Sequence, residues 1–463
     1  MVPDKQRTLI FINILISCIA SSMLATALTT ALPTMVTDFH VSVTTGQWLT
    51  SGYALAMGIM MPLTAFLIVR FPTKKLYLFA IGLFILGLIA CVLAPNFSVL
   101  MLGRILQACG NGILSSMAQV ILLTIYPLEK RGSIMGWYGL SIGAAPVIAP
   151  TIAGILVDVS SWRMIFYAAI VIMAISLIFS FLVFDDVLEN RKQKFDSLSF
   201  VLSGLAYGGI TLGIGTIGTY SLVSYQTLLP LLIGFGAMII FAKRQFHLAE
   251  PFLDLRVLQS NVFVISLIGS MLLYFLMMGS SIILPLYVQS IAGYSATISG
   301  LVTLPGSLAM TLISPFTGRF YDRFGIKKLF IIGAIALLFS NFGMVLITMK
   351  TSILIVAGLN VLRSIAIGCL MMPLVTWGMS DIKQSLTAHG TALLTSLRTI
   401  AGAIGSAVFV SIMTGVTKHS ALSFGSNAQI HGLNVTFIFM SCSALVLVAF
   451  AFFSKTTAKV SAN

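Results

Sequence analysis

Three arginines, Arg104, Arg363 and Arg398, stand inside long apolar stretches of the chain, and none of its twelve acidic residues does. A guanidinium stays protonated at any physiological pH and offers five donors in a planar fork, which suits it to hold a carboxylate, a phosphate or another acceptor. In hydrocarbon such a charge costs about 2.5–3.5 kcal/mol by insertion scales unless it faces water or a partner. Each of the three is therefore a candidate for a substrate path. Gln107 follows Arg104 by one helical turn and could line the same path. Arg104 also lies only about five residues from the end of its stretch, so the alternative is a side chain reaching the interface.

Proton chemistry needs a titratable group, and burial raises a carboxyl toward neutrality. The candidates sit at the edges of the apolar stretches: Asp158 and Asp38 on one side, Asp322 on the other, with His389 at the start of a later stretch. The five cysteines, Cys18, Cys91, Cys109, Cys369 and Cys442, all fall within apolar stretches without a CxxC pair and read as small packing residues. The sequence offers no His-rich metal cluster, no embedded nucleophile–base pair and no phosphate-binding glycine loop between strand and helix. It therefore suggests no metal, no cofactor and no enzyme.

The elements that must carry these residues are read from the distribution of charge. Apolar residues make up 58% of the 463 and charged residues only 8%, against about a quarter in soluble domains. No Asp, Glu, Lys or Arg occurs over 8–37, 39–69, 76–103, 197–242 or 257–318. A spanning helix takes about 20 apolar residues, so the longer runs hold two spans each. Fourteen spans result, the first over 9–32 and the thirteenth over 388–413. With the N-terminus inside, 20 of the 26 Lys and Arg fall on the cytoplasmic side, as the positive-inside bias requires. The net charge of +14 is then topology, with some attraction to anionic lipid heads, and no nucleic-acid partner is expected. Both termini are expected in the cytoplasm of a bacterial cell, on a multi-pass protein of the cell membrane.

The chain also repeats. Pro62–Leu76, PLTAFLIVRFPTKKL, returns as Pro315–Leu329, PFTGRFYDRFGIKKL, with seven of fifteen residues identical. Leu32-Pro33 matches Leu284-Pro285, and Arg104 matches Arg363. Spans one to six thus correspond to spans nine to fourteen. The expected organisation is a six-helix bundle over 1–184, a linker with two extra transmembrane helices over 185–256, and a second six-helix bundle over 257–463. Parallel repeats of this kind place a substrate site between the bundles near the midplane.

Four motifs together resemble the fourteen-helix drug:proton antiporter branch of the major facilitator superfamily, especially its Gram-positive multidrug and lincosamide exporters. Gly318, Asp322, Arg323, Gly325, Lys327 and Lys328 match its G-x-x-x-D-R-x-G-x-K-K loop. The first copy keeps the basic residues and lacks the acid, which implies an asymmetric cytoplasmic gate. LGRILQACGNG, Leu102–Gly112, resembles the R-x-x-Q-G helix four. APVIAPTIAG, Ala145–Gly154, resembles the antiporter motif of helix five, with Pro146, Pro150 and Gly154 as a hinge and Ala149 and Ala153 in place of glycines. SWRMIF, Ser161–Phe166, resembles the W-R-x-x-F start of helix six, and Trp162 and Arg163 read as an interfacial anchor.

The resemblance implies an all-α polytopic membrane protein of major facilitator fold, two six-helix bundles plus two inserted central helices. It implies secondary active efflux of amphipathic drugs or related small molecules by alternating access, coupled to protons, from a monomer in the lipid bilayer. One departure stands out: where the branch carries an Asp in helix one, this chain has Leu24, and where it carries Asn, Thr29. That leaves an alternative, an uncoupled facilitator or flippase of neutral or anionic lipid-like amphiphiles, with Arg363 and Arg398 as its charged contacts. Tyr53, Met57, Trp137, Tyr274, Phe275, Met277, Met278 and Trp377 are candidate lining for an adaptable pocket.

Overall fold

The computed structural model describes residues 3–454 apart from 42, 47, 189, 191–194, 217–222, 249, 250, 252 and 295. At some helical positions, Pro146, Pro150, Gly154 and Asp158 among them, it describes the backbone alone. The described residues form helices and their connections, with no strand. The first six long helices are α1 Asp4–Asp38, α2 Trp48–Arg70, α3 Thr73–Val92, α4 Phe97–Ile125, α5 Leu128–Val159 and α6 Arg163–Val183. Two follow as a pair, α7 Ser197–Thr216 and α8 Tyr225–His247. The rest are α9 Asn261–Leu286, α10 Ala296–Phe324, α11 Ile326–Val345, α12 Ile353–Ser380, α13 Thr387–Phe424 and α14 Ala428–Phe453. Among the described residues, twelve helices are long and apolar enough to cross a membrane; α2 and α5 are not in that set.

Local chemistry fixes many of the ends. Asn96 caps α4 by accepting from Val99 N at 3.0 Å, and Ser260 caps α9 by accepting from Phe263 N at 3.1 Å. Gly325 alone separates α10 from α11 and takes φ +74°, a conformation that glycine adopts without strain. Two helices outrun their expected spans. α1 covers Asp4–Asp38 rather than 9–32, and α13 continues past 413 to Phe424 before Gly425 turns it at φ +53°. A helix satisfies its own backbone, so nothing forces it to stop where the hydrocarbon stops.

Helices α1–α6 pack against one another, as do α9–α14. The strongest contact between these groups is α5 against α10, supplemented by α13 against α2 and α4 and by α12 against α5. In lipid, association rests on close packing rather than on hydrophobic burial, and glycines mark the tightest crossings. The α7–α8 pair meets backbone to backbone: a β-carbon on Gly209 would lie 2.7 Å from Pro230 O, and one on Gly234 2.6 Å from Ile210 N. Its charged end is closed by Arg244 on Asp196 at 3.0 and 3.1 Å. Partial burial works to raise the Asp196 carboxyl, but Arg244 and Ser199 outweigh it and hold it below its ordinary value. α7 leans on both groups, through α2 and α13, whereas α8 presents Leu232, Phe235, Ile239 and Ile240 outward.

Candidate functional site

The second copy of the repeated loop joins the two groups. Asp322, near the end of α10, accepts from Gly132 N at 2.8 Å and Ser133 N at 2.7 Å, near the start of α5. A carboxylate there satisfies two amides and complements the positive end of the helix dipole. Above this contact, α5 turns Gly132, Gly136, Gly139 and Gly143 toward α10 and α12. A β-carbon on Gly136 would lie 2.6 Å from Ser314 O, and one on Gly139 2.7 Å from Met372 Cγ. A β-carbon on Gly318 would overlap the Gly132 carbonyl. Ser314 Oγ adds a bond to Gly136 O at 2.9 Å. This end of the bundle is shut by a carboxylate latch over a glycine seam. Arg323 and Lys328 lie against Phe324, at 5.3 and 5.8 Å from its ring centre, and Lys327 is exposed, so all three flank the latch on its outer surface.

The first copy has no such reach. Its acid is supplied by the segment after α6: Asp186 accepts from Lys74 N at 3.1 Å, while Lys74 Nζ donates to Phe181 O at 2.9 Å. Asn190 donates to Ile68 O at 3.3 Å. These partners all belong to residues 68–190, within or just past the N-terminal group, so the asymmetry between the copies is visible in their bonds.

The three embedded arginines differ. Arg104 is 1% exposed; its Nε donates to Leu49 O at 3.1 Å and its Nη1 to Gln107 Oε1 at 2.7 Å. Its guanidinium sits 4.1 Å from the Tyr53 ring centre, and Tyr53 OH accepts from Asn111 at 2.7 Å. The interfacial alternative for Arg104 therefore fails: it ties α4 to α2 inside the bundle. Arg363 donates to Asn360 Oδ1 at 2.5 Å, and its Nη1 has no partner among the described residues. Arg398 stands 4.8 Å from the Tyr274 ring centre, and its Nε and Nη1 have no hydrogen-bond partner among the described residues.

The remaining candidates scatter. Asp38 accepts from Trp162 Nε1 at 2.6 Å. Arg163 lies 4.2 Å over the Trp162 ring and donates to Val92 O and Ala94 O at 3.3 and 3.4 Å. Trp162 is fully buried, so it is not the interfacial anchor expected: Asp38 captures its N–H and Arg163 covers its face, clasping the ends of α1, α3 and α6. His389 is buried, and its Nδ1 accepts from Asp254 N at 3.2 Å, docking the segment after α8 onto α13. Phe275 packs on Phe409 at 4.7 Å. Trp377 is fully buried and Trp137 exposed. Asp158 and the hinge residues Pro146, Pro150 and Gly154 lie outside the described side chains, although the α5 backbone is helical through all four.

Two features escaped the sequence reading. One is the glycine ladder of α5, whose spacing of four, three and four residues was a usable signal. The other is Tyr138, buried beside Cys18 and Gln119 within electrostatic range of Arg398. A lone tyrosine in an apolar helix gives no such signal.

A bundle of long apolar helices whose two groups meet at a carboxylate latch, with buried arginines that lack full pairing among the described residues, describes a multi-pass membrane transporter. The profile of the Major Facilitator Superfamily matches residues 10–406, and the chain belongs to that family. It is 37% identical over 421 residues to the MFS-type transporter YcnB of Bacillus subtilis (strain 168), covering 91% of this chain and 89% of that protein. It is 34% identical over 435 residues to the lincomycin resistance protein LmrB of Listeria innocua serovar 6a, covering 92% of each. Among solved structures it superposes on the human organic anion transporter MFSD10 (TETRAN) with a TM-score of 0.66 at 14% identity, over 97% of this chain and 100% of that one; that likeness speaks to fold alone.

Proposed function

We propose that the protein exports amphipathic drugs or related small molecules across the bacterial cell membrane by alternating access, in exchange for protons. The observation that carries this is the Asp322 latch on Gly132 and Ser133. It joins α10 of one group to the start of α5 of the other through two backbone amides. Relatives named for lincomycin and multidrug resistance support the substrate class. In this reading all fourteen long helices span, α2 and α5 included, since each is at least 23 residues long and contacts both groups. The termini and the latch are cytoplasmic, residues 1–184 and 257–463 are the moving bundles around the 185–256 insert, and the monomer is the working unit.

A second reading, an uncoupled facilitator or flippase, draws on one observation. Leu24 is buried in a wholly apolar recess with Ala20, Ala149, Ala153 and Ala169, so nothing at that position can carry a proton. Proteoliposomes loaded with a pH-sensitive dye separate the two. Substrate-dependent proton flux lost in Asp158→Asn or Asp38→Asn supports antiport, whereas substrate movement without proton flux supports the uncoupled reading.

A further inference from the structure

Arg398 is a buried arginine of α13. It lies eleven residues into α13, about 16 Å from the helix start at 1.5 Å per residue, and only 6% of it is exposed. α13 is the helix on which the groups converge, since it touches α2, α4 and α7 as well as α9 and α14. The guanidinium has the Tyr274 ring on one side and the Tyr138 side chain of the other group within electrostatic range. Among the described residues its Nε and Nη1 have no hydrogen-bond partner, and the same holds for Thr395 Oγ1 on α13 and for Ser116 Oγ and Gln119 Oε1 on α4. Unpartnered polar atoms thus occur on both helices that meet at this seam.

A buried guanidinium cannot shed its proton and is strongly penalised without a counter-charge. Helices α4, α9, α12 and α13 contain no Asp or Glu, and on α5 Glu129 and Asp158 stand nine and twenty residues from Tyr138, about 14 and 30 Å along the helix. The Tyr274 face offsets part of the penalty but accepts none of the free N–H groups. A molecule that brings an oxyanion to this point satisfies them. Arg363, with one free nitrogen, stands seventeen residues from the end of α12 that neighbours the start of α13. Counted along its own helix, that is about 9 Å further from this end than Arg398 is.

We infer that Arg398, backed by Tyr274, binds the oxyanion group, carboxylate, phosphate or sulfonate, of the transported amphiphile. This rests on the seam between the groups being the substrate path, as the export reading requires. An anionic lipid head and a free anionic amphiphile share the same chemistry, and the test distinguishes them.

The probes are dansyl-undecanoate, its methyl ester and the matching trimethylammonium amphiphile, with binding read by dansyl fluorescence on the full chain in phosphatidylcholine nanodiscs. The carboxylate is expected to bind tightest. Arg398→Gln is expected to weaken it about tenfold or more while changing the ester less than about twofold, and Arg398→Lys to restore most of the loss. Retained ester binding shows that Arg398→Gln is folded. Displacement of the carboxylate by added phosphatidylglycerol in the wild type, but not in Arg398→Gln, identifies a lipid head as a second occupant of the same site. Equal binding of carboxylate and ester, or a carboxylate affinity unmoved by Arg398→Gln, overturns the inference. Carboxylate binding that depends on Arg398, without movement of any probe in proteoliposomes, upholds the site and sinks the export reading instead.

Discussion

Gly318 of α10 and Gly132 of α5 meet backbone to backbone, directly above the Asp322 carboxylate that accepts from the Gly132 amide at 2.8 Å. Contact without side chains and a charge-assisted latch thus occupy the same place. The glycines let the helices approach closely enough for the carboxylate to reach two amides, and the carboxylate holds them there.

Gly318→Val is therefore expected to keep this end from closing. A side chain at 318 meets the Gly132 carbonyl and the Gly136 α-carbon, neither of which can yield as a flexible side chain would. Substrate flux in proteoliposomes is expected to fall roughly tenfold or more, with the monomer peak on size exclusion retained. Gly300→Ala, at a position with open space around it, is expected to transport as the wild type does.

Arg104 and Arg363 occupy matching places in the two halves of the sequence, but their removal is expected to differ. Arg104→Ala leaves Leu49 O and Gln107 Oε1 without their donor inside the bundle, at a cost of about 1–3 kcal/mol. Among the described residues, Arg363→Ala releases Asn360 Oδ1 alone and removes a nitrogen without a partner. Thermal unfolding in detergent is expected to show the larger drop in Tm for Arg104→Ala. An equal or larger drop for Arg363→Ala would contradict the partner assignment.

Trp162→Phe tests whether Asp38 is structural. The substitution keeps the ring under Arg163 and deletes the N–H that Asp38 accepts at 2.6 Å. It is expected to lower stability by about 2 kcal/mol while leaving any substrate-driven proton flux in place. If proton flux disappears with the fold intact, Asp38 has a part in coupling that the clasp alone does not explain.

How much of this was legible in the sequence follows from where the signals live. The long helices showed because charge is segregated between them, and the latch acid showed because the second loop copy is complete where the first is not. The groups receiving Asp322 did not show, since they are backbone amides and carry no residue signature. The clasp of Asp38, Trp162 and Arg163 joins residues over a hundred positions apart, and residue type suggested only an interface. α7 offered no chemistry to read. Its place between α2 and α13 comes from packing: a β-carbon on Gly208 would lie 3.5 Å from Ile59 Cδ1.

The insert carries its own prediction. A β-branched side chain at Gly209 would meet Pro230 O and the Gly234 backbone, so Gly209→Val is expected to part α7 from α8. A cysteine pair at Gly213 and Leu231, whose side chain lies 2.6 Å from the place of a Gly213 β-carbon, reports this directly. Disulfide formation is expected in the otherwise wild-type chain and to be lost with Gly209→Val, while the Asp322 latch remains.

The most direct measurement is the distance across the latch. Spin labels at Lys130 and Arg319, both exposed beside the contact, are placed in a chain whose native cysteines are replaced by serine. The wild type is expected to give a dominant short distance in liposomes. Asp322→Asn gives up the charge and one of two amide bonds, about 1–3 kcal/mol, and is expected to add a longer distance at the expense of the short one. A distribution unchanged by Asp322→Asn would contradict the account, because the contact between α5 and α10 would then hold without the latch.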